Sequence, residues 1–303
     1  MHQPRVAAII LNWNGREIIG KCLSSVTAST YRPLDVIVVD NGSTDGSVAF
    51  IYQEFPSVHV IECKENNGFA RGNNIGIEYA LGQNSDFVFI LNNDTVLAAD
   101  CIENLVERAL ADSRIGAVSP RILFFEPSDR IWSAGGSYNL WRGVARHYGL
   151  RGQSDDPQWN QPREITFATG CAALLRAQAL RQVGLFDESL FIYNEDSELS
   201  LRLCNAGWKI FYEPRAVLWH LEKYTMSRLS GNRRTIHLCV RNLLRIHAKH
   251  GRWYHKITFY PYFVWRWIIL SGGNAFFHRR WDVLQGIFQG IVAYMRRETG
   301  NPS

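Results

Sequence analysis

The sequence predicts an α/β protein built on a mixed, mainly parallel sheet sandwiched by helices, and three observations carry that reading. "VAAIILN", "LDVIVVD" and "DFVFILNND" each hold a short, nearly unbroken apolar run, too short for helices and too uniformly apolar for strands buried on one face only. These runs alternate with segments of helical periodicity in a βαβαβαβ order over the first hundred residues. Each run ends in a polar or glycine-rich stretch, so "NWNG", "DNGSTDG", "NNGFARG" and "NNDT" should converge on one rim, where open α/β sheets bind ligands.

Taken in order, "VAAIILN" is a buried strand, "REIIGKCLSSVTAS" a helix and "LDVIVVD" a second strand opening into a turn-rich loop. A helix follows over Ser47 to Glu54, then the short strand "VHVIE", the loop "NNGFARGNN", a helix to Leu81 and the strand over Phe87 to Leu91. A helix from Ala99 to about Leu110 leads to the strand "GAVSPRIL" and a loop-rich region holding Trp132, Trp141 and Trp159. "ITFATGCAALLRAQALRQVG" reads as strand, glycine turn and helix, "YNEDSELSLRLCNAGW" as a second helix and "KIFYEPRAVLWH" as a strand. After Gly231 the pattern is helical and basic.

With 303 residues, 46% apolar and 20% charged, the chain has ample material for a core. Its six cysteines are scattered, with no C-x-x-C pair, and are expected to be free thiols in a reducing compartment. The apolar run near the N-terminus is too short for a secretory signal, which places the expected location in the cytoplasm. The net charge of +5 hides an asymmetry: residues 231 to 303 carry 12 Lys and Arg against 2 Asp and Glu, leaving 21 against 26 before them. The two parts face different partners.

Several side chains admit a functional and a structural reading. Asp40, ending a strand, can accept a hydrogen bond from the imide N–H of uracil or thymine, or can close the turn after it. Arg71, with Gly68 and Gly72, offers a positive fork near a diphosphate or base. Asp94 ends "LNND", where one carboxylate can hold a divalent ion bridging a diphosphate, since phosphate oxygens and water fill the remaining positions; an Asx turn is the alternative. Glu195 and Asp196 open a helix, where acids complement the macrodipole, but two adjacent carboxylates also suit general-base work. His220 ends a strand and reads either as a metal ligand or as a structural histidine.

Seven motifs in order, "IILNWNG", "VVDNGSTDGS", "NNGFARGNN", "ILNNDTVL", "TGCAALLRAQALRQVGLFDE", "YNEDSELSLRLCNAGW" and "AVLWH", give residues 5 to 225 a resemblance to the family-2 inverting glycosyltransferases of GT-A-type fold. The chain looks most like their bacterial rhamnosyltransferase-like branch. The resemblance implies transfer of a sugar from a UDP- or dTDP-sugar, dTDP-rhamnose among them, to a hydroxyl of a glycan or polyprenyl-linked acceptor in cell-surface polysaccharide synthesis. It implies a nucleotide-binding set of Asn12, Asn14, Asp40, Gly42, Asn67, Gly68, Arg71, Asn74, Asn92 and Asn93, and Mg²⁺ or Mn²⁺ held by Asp94 and His220. Asp196 matches the catalytic base, with Glu195 as the next candidate, and Gly170, Cys171, Trp132 and Tyr193 line the donor and acceptor pocket. Asn92 replaces the first carboxylate of the family's Asp-x-Asp motif, which predicts weaker metal binding and a larger part for His220. A sugar nucleotidyltransferase, or an inactive nucleotide-sugar-binding module on the same fold, is the competing reading; "LNWNGREIIG" lacks the basic glycine-rich loop the former needs.

The expected organisation is a catalytic domain over residues 1 to 230, with a nucleotide-binding half to residue 100 and an acceptor-side half beyond it, and a basic, aromatic-rich helical region over 231 to 303. "ITFYPYFVWRWIIL" holds Pro261 and Arg266 and is shorter than the ~20 residues of a spanning helix. Leu284, Ile287, Phe288, Ile291 and Met295 form one stripe between arginine pairs, which suits a helix lying on an anionic membrane surface. Packing on the catalytic domain or on a second copy in a homo-oligomer is the alternative. No nucleic-acid partner is expected, because the aromatic residues sit among aliphatic ones. The expected place is the inner face of the plasma membrane, peripherally bound.

Overall fold

A computed structural model describes residues 3–221 and 233–301 of the chain. The apolar runs form β1 (Val6–Asn12), β2 (Leu34–Asp40) and β4 (Phe87–Asn92), with β3 (His59–Glu62) at the edge. These four pair parallel in the order β4-β1-β2-β3. Every residue of Val6 to Ile10 and Phe87 to Leu91 is buried, as strands covered on both faces require. The register sets Asn12 beside Asp40 and Leu11 beside Asn92, so three polar strand ends finish level with one another.

The crossovers carry α1 (Ile19–Thr27), α2 (Ser47–Glu54) and α3 (Gly68–Gly82). The stretch expected as a loop through Asn74 is helical from Gly68 onward. Its glycines serve packing: a Cβ on Gly72 would stand 2.5 Å from Leu11, and one on Gly76 2.5 Å from Ile9. The helix therefore lies close on β1, and Arg71 and Asn74 project from it.

The second half contains β5 (Thr95–Leu97), α4 (Cys101–Leu110), β6 (Ile115–Phe124), β7 (Ile131–Ser133), β8 (Gly136–Asn139), β9 (Val144–His147), β10 (Arg163–Ile165), β11 (Ala172–Arg176), α5 (Ala177–Val183), α6 (Glu195–Asn205) and β12 (Lys209–His220). β11 enters antiparallel between β4 and β6, and β12 lies parallel to β6. The sheet thus runs β10-β12-β6-β11-β4-β1-β2-β3, with β5 on β12 and β7 on β6. The region around Trp132 and Trp141, expected to be loop-rich, holds the three-residue β7 and a separate β8–β9 hairpin of two four-residue strands, all too short to show periodicity. One core, around Ile19, Leu23, Ile102 and Leu105, fills one face of the sheet; the other, around Ala70, Ile77, Leu180, Leu199 and Leu203, fills the opposite face.

Beyond the undescribed residues 222–232, where the expected boundary at residue 230 falls, come α7 (Arg233–His250), α8 (Trp253–Phe263), a π-helical stretch Val264–Gly272, α9 (Gly273–Phe277) and α10 (Trp281–Met295). Helical backbone continues past Pro261, which α8 contains near its end. Gly286 and Gly290 bring α10 against α7, where added Cβ atoms would meet the Arg233 and His237 carbonyls. That contact divides the expected single stripe: Ile287 is buried, Leu284 and Ile291 are half-buried, and Phe288 and Met295 face outward. Among the described residues no helix is long and apolar enough to cross a membrane, and all six cysteines are free.

Candidate active site

The level strand ends are wired together by amides. Asn93 Nδ2 donates to Asn12 Oδ1 at 2.8 Å, Asn12 Nδ2 to Asp40 Oδ1 at 3.0 Å, and the Ser43 N–H to Asp40 Oδ2 at 2.9 Å. Asp40 is buried and both its oxygens accept bonds, one of them closing the turn that follows. Asn14 holds the same loop, its Oδ1 accepting from the Thr44 N–H, and Gly42 turns it with φ +77°. Asn41, which the motif reading passed over, organises the neighbouring loop: Oδ1 accepts from the Asn67 N–H, and Nδ2 donates to the Gly68 carbonyl. Gly68 is obligatory there, with φ +79° and the Phe191 ring 2.5 Å from where a Cβ would sit. Arg71 and Asn74 are drawn elsewhere. Arg71 pairs with Glu188 at 3.0 Å and Glu78 at 3.5 Å, while Asn74 bonds both the N–H and the carbonyl of Phe186 and reaches Glu188.

Antiparallel pairing of β5 with β12 brings His220 opposite Thr95, next to Asp94. His220 Nε2 stands 3.2 Å from Asp94 Oδ1 and both side chains are buried. Beyond this contact with Asp94, neither ring nitrogen of His220 has a hydrogen-bond partner among the described residues. Trp132 meets its ring edge-on at 4.8 Å and meets His147 at 4.9 Å. A buried carboxylate beside an otherwise unbonded imidazole fits two ligands of a divalent cation. No group of three or more His, Cys, Asp or Glu able to hold a metal occurs among the described residues, so the remaining ligands would come from phosphate oxygens and water.

The paired carboxylates open α6, and the chain reaches them through an unusual turn. Phe191, with φ +64° and ψ −65°, centres a γ-turn closed by Ile192 N–H to Leu190 C=O at 2.8 Å; Tyr193 and Asn194 also have positive φ. Such conformations at non-glycine residues cost on the order of 1–3 kcal/mol each. Beyond the turn, Asp196 accepts from the Gly170 N–H at 3.0 Å and the Ser197 N–H at 2.7 Å. Gly170 precedes Cys171, whose carbonyl accepts from Asn92 N–H, so Asp196 lies next to the β4 strand end. Its neighbour Glu195 is sealed in, with Oε2 unbonded among the described residues, whereas Asp196 keeps part of its surface open. Burial, then the charge of Asp196, pushes the Glu195 carboxyl well up; burial also raises Asp196, against the pull of the two backbone N–H groups. Glu195 is therefore the member of the pair biased further toward its neutral form, and Asp196 the one left partly accessible.

The rest of the expected pocket is partly assembled. Cys171 is buried and its thiol is pushed well up by burial, which leaves it no nucleophile. Tyr193 is half-buried, and its hydroxyl bonds Thr235 on α7. His147, at the end of β9, joins the site unannounced by any motif; its Nδ1 lies 3.0 Å from Ser133 Oγ, and burial lowers its pKa, keeping it neutral.

A family model described as glycosyl transferase family 2 matches residues 7–184. An N-acetylglucosaminyl-diphospho-decaprenol L-rhamnosyltransferase of Mycobacterium tuberculosis (strain ATCC 25618 / H37Rv) is 30% identical over 226 residues, covering 68% of this chain and 72% of the relative. Among solved structures, GalNAc-T7 with UDP, GalNAc and Mn²⁺ superposes with a TM-score of 0.63 at 18% identity, over 80% of this chain but only 47% of its own. The mannosyltransferase PcManGT from Pyrobaculum calidifontis, in complex with GDP-Man and Mn²⁺, gives a TM-score of 0.55 at 18% identity, over 97% of this chain and 88% of its own.

Proposed function

The chain belongs to glycosyl transferase family 2, enzymes that transfer sugars from nucleotide donors, and we propose that it moves a sugar from a UDP- or dTDP-sugar to a hydroxyl of a polyprenyl-linked glycan, with inversion. The observation that carries this reading is Asp196: a partly open carboxylate, pinned by two backbone N–H groups, beside the strand end where Asp94 and His220 meet. The similarity to a rhamnosyltransferase acting on a diphospho-decaprenol supports dTDP-rhamnose and a lipid-linked N-acetylglucosamine as the first pair to try.

In this reading Asp196 takes the proton from the acceptor hydroxyl as its oxygen bonds the anomeric carbon, and the electron pair of the breaking C–O bond leaves with the nucleoside diphosphate. Asp94 and His220 would hold a divalent ion that supplies Lewis-acid stabilisation of that leaving group. Asn12, Asn14, Asp40 and Gly42 shape the loop that receives the nucleotide, Asn67, Gly68, Asn92 and Asn93 border it, and Trp132, Tyr193, Gly170 and Cys171 wall the sugar side. Arg71 would reach the nucleotide only by releasing Glu188. Catalysis resides in residues 1–230, and residues 231–303 dock the protein on an anionic membrane surface.

The test is a panel of UDP- and dTDP-sugars offered with an N-acetylglucosaminyl-diphospho-polyprenol, reading nucleoside diphosphate release with and without EDTA. One dTDP- or UDP-sugar should dominate, and chelation should abolish turnover. Full turnover in EDTA would remove the metal from the proposal, and no turnover on any donor would favour a binding module.

A further inference from the structure

The turn that delivers Asp196 is held from outside the catalytic fold. Leu190 C=O, already bonded by the Ile192 N–H, also accepts from Asn242 Nδ2 at 2.8 Å and Arg241 Nη2 at 3.2 Å. Asn242 Nδ2 lies 3.0 Å from the Ile192 carbonyl and 2.8 Å from that of Tyr193, so one amide gathers three carbonyls of the same turn. Arg241 reaches the Ser189 carbonyl with Nη2 and the Gly300 carbonyl with Nη1, and its Nε–H donates to Asn242 Oδ1 at 3.0 Å. Both side chains come from the middle of α7 and are essentially inaccessible, Arg241 at 1% and Asn242 at 0% exposure. A guanidinium buried this deeply and bonded to carbonyls and an amide is costly to desolvate, and a packed apolar side chain would stabilise a purely structural contact as well.

The same turn also reaches the nucleotide side. The Phe191 carbonyl accepts from the Phe69 and Ala70 N–H groups at the start of α3, and its ring fills the space that Gly68 leaves. Residues 189–194 are thus a strap between the start of α3, the start of α6 and the middle of α7. Three of its non-glycine residues hold positive φ, a conformation that persists only where surrounding structure imposes it.

We propose that Arg241 and Asn242 are positioning residues for the transfer reaction: they impose the strained strap 189–194 and thereby set Asp196 against the acceptor. This rests on Asp196 being the base. Released from Asn242, the strap relaxes, the first turn of α6 shifts and the Asp196 carboxylate loses its alignment, while the donor-side strand ends stay in place.

The test uses the full chain and the near-isosteric Asn242→Asp, which keeps the acceptor facing Arg241 but replaces the donor aimed at three carbonyls. Hydrogen exchange should quicken at least ~10-fold in peptides covering 189–198 and at Phe69 and Ala70, with β1 and β4 peptides unchanged. Turnover on the best donor of the panel should fall on the order of 10- to 100-fold, with donor KM changed far less and the acid limb of its pH profile displaced. Arg241→Lys should show the same pattern more weakly. Exchange and turnover both at wild-type values, or exchange that rises equally in β1 and β4, overturns the proposal. Asp196→Asn run alongside separates the two readings: if it retains turnover, the base assignment fails; if it is inactive while Asn242→Asp is normal, only the strap proposal fails.

Discussion

Asp196 and Glu195 are adjacent in sequence and opposite in circumstance, and the difference is burial. Asn in place of Asp196 keeps the shape and much of the capping but cannot take a proton, so Asp196→Asn should reduce turnover on the order of 10²-fold or more with donor affinity nearly unchanged. Because burial raises the Asp196 pKa, activity should rise with pH through an acid limb lying above the ordinary aspartate range, near 3.9. Glu195 has its folded pKa raised above the unfolded value. Its contribution to stability is therefore fully present below the unfolded pKa and lost as pH rises through the folded one. Glu195→Gln, which fixes the neutral form, should flatten that alkaline loss, read as melting temperature against pH. The pair itself was legible in "YNEDSELS", because consecutive carboxylates at a helix start exceed what capping needs. Which of them is reachable was not, since that depends on the packing around each. Asp40 is a similar case: its place at a strand end was legible, but the amide wire that occupies its oxygens was not.

At the scale of elements, the ion pairs between α6 and α7 converge on one residue of α6. Glu198 receives Arg202 at 2.7 Å, Lys249 at 2.8 Å and His250 Nε2 at 3.0 Å, and these partners outweigh its burial and push its carboxyl down to about 2. A depressed carboxyl contributes stability that is present above its unfolded pKa, about 4.3, and lost as pH falls through the folded value. Glu198→Gln should therefore lower stability by on the order of 3 kcal/mol at neutral pH, leaving Arg202 and Lys249 without their buried counter-charge, and by almost nothing near pH 2. Denaturant titrations at the two pH values check this; an equal loss at both would mean that shape, not charge, holds the helices. The elements that sequence reading misplaced share a physical cause. Glycine signals a turn when its φ is positive, but Gly72, Gly76, Gly286 and Gly290 are used for close approach, which only the neighbouring element reveals. The strands β7 to β9 are held by pairing partners rather than by periodicity, so His147 arrives at the site without any local signal.

For the molecule as a whole, the charge asymmetry and the outward surface of the C-terminal helices point the same way. Trp253, Ile257, Trp265, Ile269 and Phe277 are exposed along α8, the π-helical stretch and α9, interspersed with Arg252, Lys256 and Arg266. Exposed aromatic and aliphatic side chains among basic ones match the chemistry of an anionic bilayer interface, where each basic residue near the surface adds about 1 kcal/mol. The surface is continuous with the β8–β9 hairpin: Thr258 Oγ1 donates to the Trp141 carbonyl at 2.9 Å, and the Trp141 ring meets His255 at 4.9 Å. The opposite end of that hairpin carries His147 to Trp132 in the site, so a docked face would lie one hairpin away from the chemistry. Vesicles containing phosphatidylglycerol should bind the protein in flotation assays, with binding that weakens as salt rises, and neutral phosphatidylcholine vesicles should bind it far less. The combined variant Trp265→Ser, Ile269→Ser, Phe277→Ser should lose binding at least ~10-fold while keeping its melting temperature, because none of the three is buried in the core. Truncation after Ser230 is the poorer test, since it removes Arg241, Asn242 and the Glu198 partners together with the face. If the triple variant floats as well as the wild type, the membrane reading is wrong; if it instead changes from dimer to monomer in light scattering without any vesicle binding by the parent, the face joins two copies of the chain.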